Sequence, residues 1–203
     1  MHRISATPGT APMVQNRHVI HTSISGRLLV ATPPLVDPNF DRTVVYLIEH
    51  NDQGALGVVI NRPSAEDRLS GLDVWDDLMS PPAVVFGGGP VGPDALIGLG
   101  QTGSGDRHDG WSMWRNGVGT VDLSREPYEV SPPVERLRLF RGYSGWGPWQ
   151  LDAELQAGAW IVLDAEPGDP FSPEPGALWR AVLRRQGGRL AWLANAPDDL
   201  ASN

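Results

Sequence analysis

Short apolar runs separated by polar and glycine-rich stretches recur along the chain. Two runs rich in β-branched and aromatic residues, Thr43–Glu49 and Ala55–Asn61, flank the five-residue segment His50–Gly54. Runs of this composition are typical of strands, and a connection of this length that ends in glycine is typical of a hairpin. The pattern therefore predicts a β-hairpin over residues 43–61.

Further apolar runs of strand length end at prolines or glycines. The first run stops at Pro33 and Pro34, because proline has no backbone N–H to donate to a neighbouring strand. The predicted strands outside the hairpin are Gly26–Thr32, Val84–Phe86, Leu96–Leu99, Gly119–Leu123, Leu137–Tyr143 and Trp160–Leu163.

Three segments have helical spacing. Apolar residues recur at every third or fourth position in Leu69–Met79, and Ala177–Arg185 is amphipathic. Pro148 suits the first turn of a helix that reaches about Gln156. Few helices among many hairpins, without an alternating βαβ order, predict an α+β fold in which antiparallel strands dominate.

The N-terminal residues 1–24 lack hydrophobic periodicity, which predicts a flexible tail. The remaining residues, 25–203, are expected to form a single domain, since a chain of 203 residues can bury one substantial core. Met1 and Met13 are both candidate starting residues of the protein.

Composition excludes several chemistries. Cysteine and lysine are absent, which removes thiol nucleophiles, thiolate metal sites and lysine Schiff bases. The formal net charge of −8 argues against direct nucleic-acid binding, which favours a basic surface. No run approaches the roughly 18 consecutive apolar residues of a membrane helix. We therefore expect a cytoplasmic protein without a cofactor, a metal or a membrane.

Two sets of side chains are candidates for acid–base or anion chemistry. Glu49 and His50 lie at the hairpin corner and could form an acid–base pair, because a neutral imidazole can transfer protons. The simpler interpretation is that His50 stabilises the turn through hydrogen bonds to the backbone. Asp37, Asp41 and Arg42 could shape an anion or metal pocket, or Arg42 could pair with a carboxylate and pin the loop to the sheet.

The richest candidate binding surface follows the strand Leu137–Tyr143. It contains Tyr143, Trp146 and Gln150, and glycines flank Trp146 on both sides. An exposed indole beside polar groups would mark a partner or ligand site, whereas an indole buried against the sheet would make the segment structural. Both interpretations remain open.

Two other motifs are weaker. Gly87–Pro90 could cradle a phosphate with backbone N–H groups, although a close crossing of two backbones explains the glycines equally well. Ser144 lies in a segment that only loosely mimics a nucleophile elbow, and no neighbouring base is evident.

Two glycine-bounded signatures carry a resemblance to a known family. They are GRLLVATPPLVDPNFDRTVVYLIEHNDQGALGVVINRPS over Gly26–Ser64 and RGYSGWGPWQLDAE over Arg141–Glu154, joined by GGPV at 88–91 and a terminal PDDLASN. In this order they resemble the AlgH (YqgE) family of bacterial proteins. The resemblance implies an α+β fold whose bifurcated, mainly antiparallel β-sheet forms a pseudo-barrel flanked by a few α-helices.

Departures from the family pattern limit what can be transferred. Leu99–Gly100 stands where relatives often have Leu-His, so no catalytic role of that histidine carries over. Redox roles of cysteine-containing relatives do not apply either. Relatives are often described as transcriptional regulators.

The leading hypothesis is a non-enzymatic binding or regulatory protein with an unidentified protein partner. Its binding face would combine the Asp37–Arg42 loop, the hairpin corner and the Tyr143–Gln150 turn, because scaffolded function concentrates in loops. The alternative is an enzyme or sensor for a small anionic metabolite or nucleotide, which requires Arg42, His50, Tyr143 and Gln150 to line one pocket. A homodimerisation module is a third hypothesis.

Overall fold

The structure is a computed structural model that describes residues 23–33, 37–65, 69, 71–103 and 109–196. The predicted tail lies outside the described residues up to residue 22, and so does the terminal PDDLASN at 197–203.

Within the described residues, nine strands form one open sheet of mainly antiparallel pairing. Its order is β6-β7-β5-β8-β3-β2-β1-β9, and β4 pairs in parallel with β8. The strands are β1 Arg27–Ala31, β2 Val44–Asn51, β3 Gly54–Val59, β4 Phe86–Gly87, β5 Val91–Gln101, β6 Trp111–Arg115, β7 Val118–Val121, β8 Arg136–Trp146 and β9 Trp160–Asp164.

Short helices accompany the sheet. The α-helices are α1 Gln150–Gln156, α2 Pro175–Arg184 and α3 Gly188–Leu193, and the 3₁₀ helices are Asp73–Leu78, Pro127–Glu129 and Asp169–Phe171. None of the helices in the described ranges has both the length and the apolar character that crossing a bilayer requires.

The sheet divides into two arms at β8. Residues Arg136–Arg141 of β8 pair with β5, whereas Ser144–Trp146 pair with β3. The first arm therefore contains β9, β1, β2 and β3, and the second contains β5, β7 and β6. Between Val91 and Leu96 the register of β5 against β8 shifts, so the regular pairing of β5 with β8 is interrupted close to the point where β3 joins β8. This is the bifurcated sheet that the family resemblance implies.

Alternating side chains of the strands supply three apolar clusters. The largest lies between the arms and is closed by α2: it joins Tyr46 and Ile60 of the first arm to Leu99 of the second and to Trp179 of α2. The Trp179 Nε1–H donates to the carbonyl of Ala31 at 2.9 Å, which fixes α2 against β1. Burial raises the pKa of Tyr46 to about 12, and Arg115 opposes that shift.

The other two clusters lie on the outer faces of the arms. Leu29 and Leu47 pack under α1 on the first arm, and Leu137 and Leu139 pack under the 3₁₀ helix with Trp75 on the second arm. The outer face of each arm is thus covered by a different connection of the chain.

The α+β fold class and the hairpin over residues 43–61 are confirmed. The predicted α-helix over Leu69–Met79 is wrong, because the structure has a 3₁₀ helix over Asp73–Leu78 instead. Aspartates at three of its six positions are weak helix formers, and the Pro81–Pro82 pair follows within one turn. Strand β6 and helix α3 were not predicted.

Candidate functional site

A cleft of about 440 Å³ opens between the two arms of the sheet. Its walls are mainly aliphatic, and its size is within the range of small-molecule sites in proteins. Leu96 is 37% exposed although it is a large apolar side chain. The lining residues are Ile48, Glu49 and Leu56 of the first arm, Leu96, Ile97, Gly98, Ser112, Thr120 and Val121 of the second arm, and Asp122 and Leu123 after β7.

The fork of the sheet explains why this cleft exists. The strands β3 and β5 pair with β8 from its two sides, β3 only over Ala55–Gly57, and the pairing of β5 is interrupted by the register shift between Leu96 and Val91, so the two arms share only a short stretch of regular sheet at β8. The aliphatic side chains of Leu56 and Ile97 pack against the central cluster below. The floor of the cleft is therefore the edge of the core.

Two carboxylates give the cleft its charge. Asp122 is exposed. Its Oδ1 accepts hydrogen bonds from the Ser124 hydroxyl at 2.6 Å and from the Ser124 backbone N–H at 3.1 Å. The Nε of Arg125 lies 3.3 Å from the other oxygen, Oδ2. These Ser124 bonds, together with Arg125, hold the pKa of Asp122 below its usual value. Glu49 is half-buried, and its Oε1 accepts a bond from Asn51 Nδ2 at 2.7 Å.

His50 is fixed by its neighbours and does not line the cleft. The side chain is 5% exposed, and Nδ1 accepts the backbone N–H of Ile24 at 3.3 Å. Its Nε2 lies 3.8 Å from Asp152 Oδ2. The backbone of His50 also bonds the hydroxyls of Ser23 and Ser25, each at 2.8 Å. This geometry favours the turn-stabilising interpretation of the histidine.

The loop before β2 is organised by its own backbone. Asp37 Oδ1 accepts the N–H of Asn39 at 2.8 Å, which is a capped turn. The guanidinium of Arg42 lies over the ring of Trp179, 5.4 Å from its centroid, and donates to the carbonyl of Ala196 at 3.4 Å. Arg42 thus connects the loop to α2 and to the segment after α3.

Arg42 and His50 do not line one pocket. Arg42 precedes the start of β2, and His50 lies next to its end. Eight residues of extended chain separate the two by up to about 26 Å. The pocket that the anionic-metabolite hypothesis requires is therefore not formed by these two side chains.

Trp146 is buried rather than presented to solvent. It is 6% exposed, and its Nε1–H donates to Glu154 Oε2 at 2.9 Å; the Nε1–H of Trp160 donates to the same oxygen at 2.8 Å. Glu154 Oε1 accepts a bond from Gln150 Nε2 at 3.0 Å, and Gln150 Oε1 accepts the N–H of Gly147 at 3.1 Å. The exposed tryptophan of this segment is Trp149, at 52%.

Tyr143 lies at the fork itself. It pairs with Val91 of β5, and its ring packs so closely on Gly92 that a methyl group there would lie 3.0 Å from Cε1. Among the predicted site residues, Tyr143, Trp146 and Gln150 therefore lie along one stretch of chain at the fork and α1, and Glu49 alone lines the cleft.

The glycine run and Ser144 have structural explanations. Gly88 and Gly89 lie so close to the backbone of Gly142 and Tyr143 that neither position has room for a Cβ atom. The Ser144 hydroxyl is buried and donates to the carbonyl of Gly88 at 3.2 Å. Nothing in this geometry exposes a nucleophile. The described residues also hold no group of three or more metal-ligating side chains.

Comparison with known proteins identifies the relatives of the chain. The sequence model of the family described as AlgH-like matches residues 28–191. The chain belongs to the AlgH-like family. It is 50% identical over 186 residues to the UPF0301 protein SCO2948 of Streptomyces coelicolor, which covers 90% of this chain and 96% of that protein.

Solved structures show the same fold. Protein DIP2367 from Corynebacterium diphtheriae superimposes with a TM-score of 0.78 at 31% identity, covering 84% of this chain and 91% of that one. The AlgH protein from Pseudomonas aeruginosa superimposes with a TM-score of 0.61 at 28% identity, covering 95% of this chain and all of that one.

The end of the first signature, which carries part of the AlgH-like resemblance, holds the loop before β2 in place. Asn61 and Arg62, which the sequence analysis did not select, clamp the loop before β2. Asn61 accepts the N–H of Val44 at 2.9 Å and donates to the carbonyl of Arg42 at 2.9 Å. Arg62 donates to the carbonyls of Asn39 at 2.7 Å and of Asp41 at 3.0 Å. Their sole sequence signal is a polar pair where the predicted strand Ala55–Asn61 ends.

A second arginine was also missed. Arg138 is fully buried on β8, lies over the ring of Phe86 at 4.2 Å, and donates to the carbonyls of Ser80, Pro81 and Ser172. Burial lowers its pKa to about 10. The sequence signal that could have indicated a buried arginine is its position between two leucines in the predicted strand Leu137–Tyr143.

Proposed function

We propose that this AlgH-like chain is a cytoplasmic, non-catalytic binding protein and that the cleft between the arms holds its ligand. The observation that carries the proposal is the cleft itself: about 440 Å³ bounded mainly by aliphatic side chains, with a half-buried carboxylate at Glu49. An open apolar concavity with a few polar groups is the common form of a small-ligand site.

The cleft supports binding better than catalysis. Its lining has two carboxylates and two hydroxyls, and Thr120 already donates its hydroxyl proton to the carbonyl of Ser112 at 3.1 Å. Neither hydroxyl of the lining has an imidazole beside it among the lining residues, which a serine or threonine nucleophile needs. A regulatory effect would pass from the cleft to a protein partner, since a chain of net charge −8 is poorly suited to contact DNA.

The experiment blocks the cleft and asks whether stabilisation by ligands disappears. Ser112 is exposed on β6 and lines the cleft, so Ser112→Trp places an indole in the cleft without removing a buried group. The protein and this variant are heated with a panel of small amphiphiles. A ligand present at about 100 times its Kd stabilises the fold by about 2.7 kcal/mol.

We expect at least one amphiphile to raise the Tm of the unchanged protein and to leave that of Ser112→Trp unaltered. The matched control is Arg136→Trp, an indole at an exposed strand position outside the cleft, which should retain the shift. The proposal is contradicted when no amphiphile stabilises the protein, or when Ser112→Trp responds as fully as the control.

A further inference from the structure

The carboxylate of Glu49 is the charged group of the cleft with capacity for a ligand. One oxygen, Oε1, accepts the amide of Asn51 at 2.7 Å. Among the described residues, no side chain or backbone N–H donates to Oε2. Glu49 also lines a smaller pocket of about 230 Å³ at the tip of the hairpin, so this residue borders both the cleft and the smaller pocket.

The second carboxylate of the cleft is already engaged. Asp122 accepts two bonds from Ser124, and the guanidinium of Arg125 lies 3.3 Å from its other oxygen. Arg125 offsets the charge of Asp122 locally. The described lining of the cleft contains no arginine that would offset Glu49 in the same way.

The walls beside and across from Glu49 are aliphatic. Leu56 projects from the first arm, and Leu96 and Ile97 project from the second, with Leu96 37% exposed. Burying an alkyl chain against such side chains favours binding, because it removes apolar surface from water. A ligand that fits both features has an aliphatic body and a cationic head.

We propose that the cleft selects aliphatic amines in their ammonium form, with the ammonium group against Glu49 and the alkyl body between Leu56, Leu96 and Ile97. This inference rests on the proposed function of the cleft and specifies the chemistry of its ligand. Charge complementarity chooses the head group, and the aliphatic walls choose the body.

The test compares three probes with the same alkyl chain and different heads: n-octylammonium, octan-1-ol and n-octanoate. Each is titrated at pH 7 against the unchanged chain, against Glu49→Gln and against Asp52→Asn. Glu49→Gln keeps the acceptor oxygen for Asn51 and removes only the charge. Asp52→Asn removes the same charge from an exposed turn residue three positions away that lines neither pocket.

A partly exposed ion pair is worth up to about 1 kcal/mol, which is about fivefold in Kd. We therefore expect Glu49→Gln to weaken n-octylammonium about fivefold, to leave octan-1-ol within twofold and to strengthen n-octanoate, whereas Asp52→Asn changes none of the three by more than twofold. Comparing each probe with itself across variants cancels the different hydration of the three heads.

Each failure has a distinct meaning. If Glu49→Gln changes the Kd of n-octylammonium and of octan-1-ol equally, the inference about the ammonium head is overturned. Binding of octan-1-ol that Ser112→Trp abolishes would still support the cleft as a binding site. Equal weakening of n-octylammonium by Asp52→Asn would overturn it too, because the attraction would then be that of the general surface charge. No binding of any probe overturns both proposals.

Discussion

Replacing Glu154 by alanine tests whether α1 is held to the sheet through the two buried indoles. One carboxylate oxygen accepts both indole N–H groups, from Trp146 at 2.9 Å and from Trp160 at 2.8 Å. The two side chains are only 6% and 4% exposed, so Glu154→Ala leaves two buried donors without their acceptor. Each such loss costs about 1–3 kcal/mol.

We expect Glu154→Ala to lower the free energy of unfolding by about 3 kcal/mol, in the lower half of the roughly 2–6 kcal/mol that two such losses would cost, because the carboxylate is only half-buried and water can reach part of the site. For a chain of this length that corresponds to a fall in Tm of about 6–12 °C. Glu154→Gln should cost about half as much, since an amide oxygen accepts a weaker hydrogen bond than a carboxylate.

Equilibrium urea unfolding followed by tryptophan fluorescence measures the effect directly. The matched control is Glu174→Ala, at the exposed glutamate directly before α2, whose side chain makes no capping bond; it should change stability by less than about 0.5 kcal/mol. The reasoning is refuted when Glu154→Ala is as mild as this control.

Two further predictions follow from the close packing at the fork and the buried phenol. Gly89→Ala should lower the free energy of unfolding in urea by more than about 3 kcal/mol, because its Cβ would overlap the Tyr143 backbone and its φ is +148°. The control Gly87→Ala should change it by less than about 0.5 kcal/mol, because the nearest atom to its Cβ is a backbone oxygen 4.0 Å away. Equal effects of the two variants would contradict the packing argument. In an alkaline titration followed by ultraviolet absorbance, Tyr46 should ionise near pH 12, and its raised pKa contributes stability that is present below about pH 10 and lost as the pH rises through about 12. Tyr46→Phe should remove that late step, and a titration in which all tyrosines ionise near pH 10 would contradict the prediction.

The local elements of the fold could be predicted from the sequence because their signals are local. The hairpin over residues 43–61 has β-branched runs and a turn of suitable length next to each other in the chain. Strand β5 was predicted only as Leu96–Leu99, because Gly92 and Pro93 lie in its first part and are unfavourable in a regular strand. The register shift against β8 accommodates them.

The orientation of the tryptophans in the second signature could not be predicted. Trp146 and Trp149 both follow a glycine or proline, and the sequence gives no reason to bury one of them. In the structure the alternation of β8 continues through Trp146, whereas Trp149 adopts a left-handed conformation with φ of 62° before α1. Burial of the first indole depends on Glu154 and Trp160, which only the fold brings to it.

The cleft was beyond sequence reasoning for a topological reason. Leu56, Ile97 and Ser112 line it from three strands far apart in the chain, and the order β6-β7-β5-β8-β3 brings them together. Glu49 alone was selected beforehand, as part of an acid–base pair with His50. Adjacent residues of a strand project to opposite faces, so the two side chains serve different surroundings.

Methyl NMR of the unchanged protein during titration with octan-1-ol tests the central claim that the cleft between the arms is a binding site. The account predicts concentration-dependent shifts of the Ile48, Leu56, Leu96 and Ile97 methyl groups, with no shift at Val74, which is 51% exposed outside the cleft. Shifts of equal size at Val74, or none at the cleft methyl groups, would contradict it.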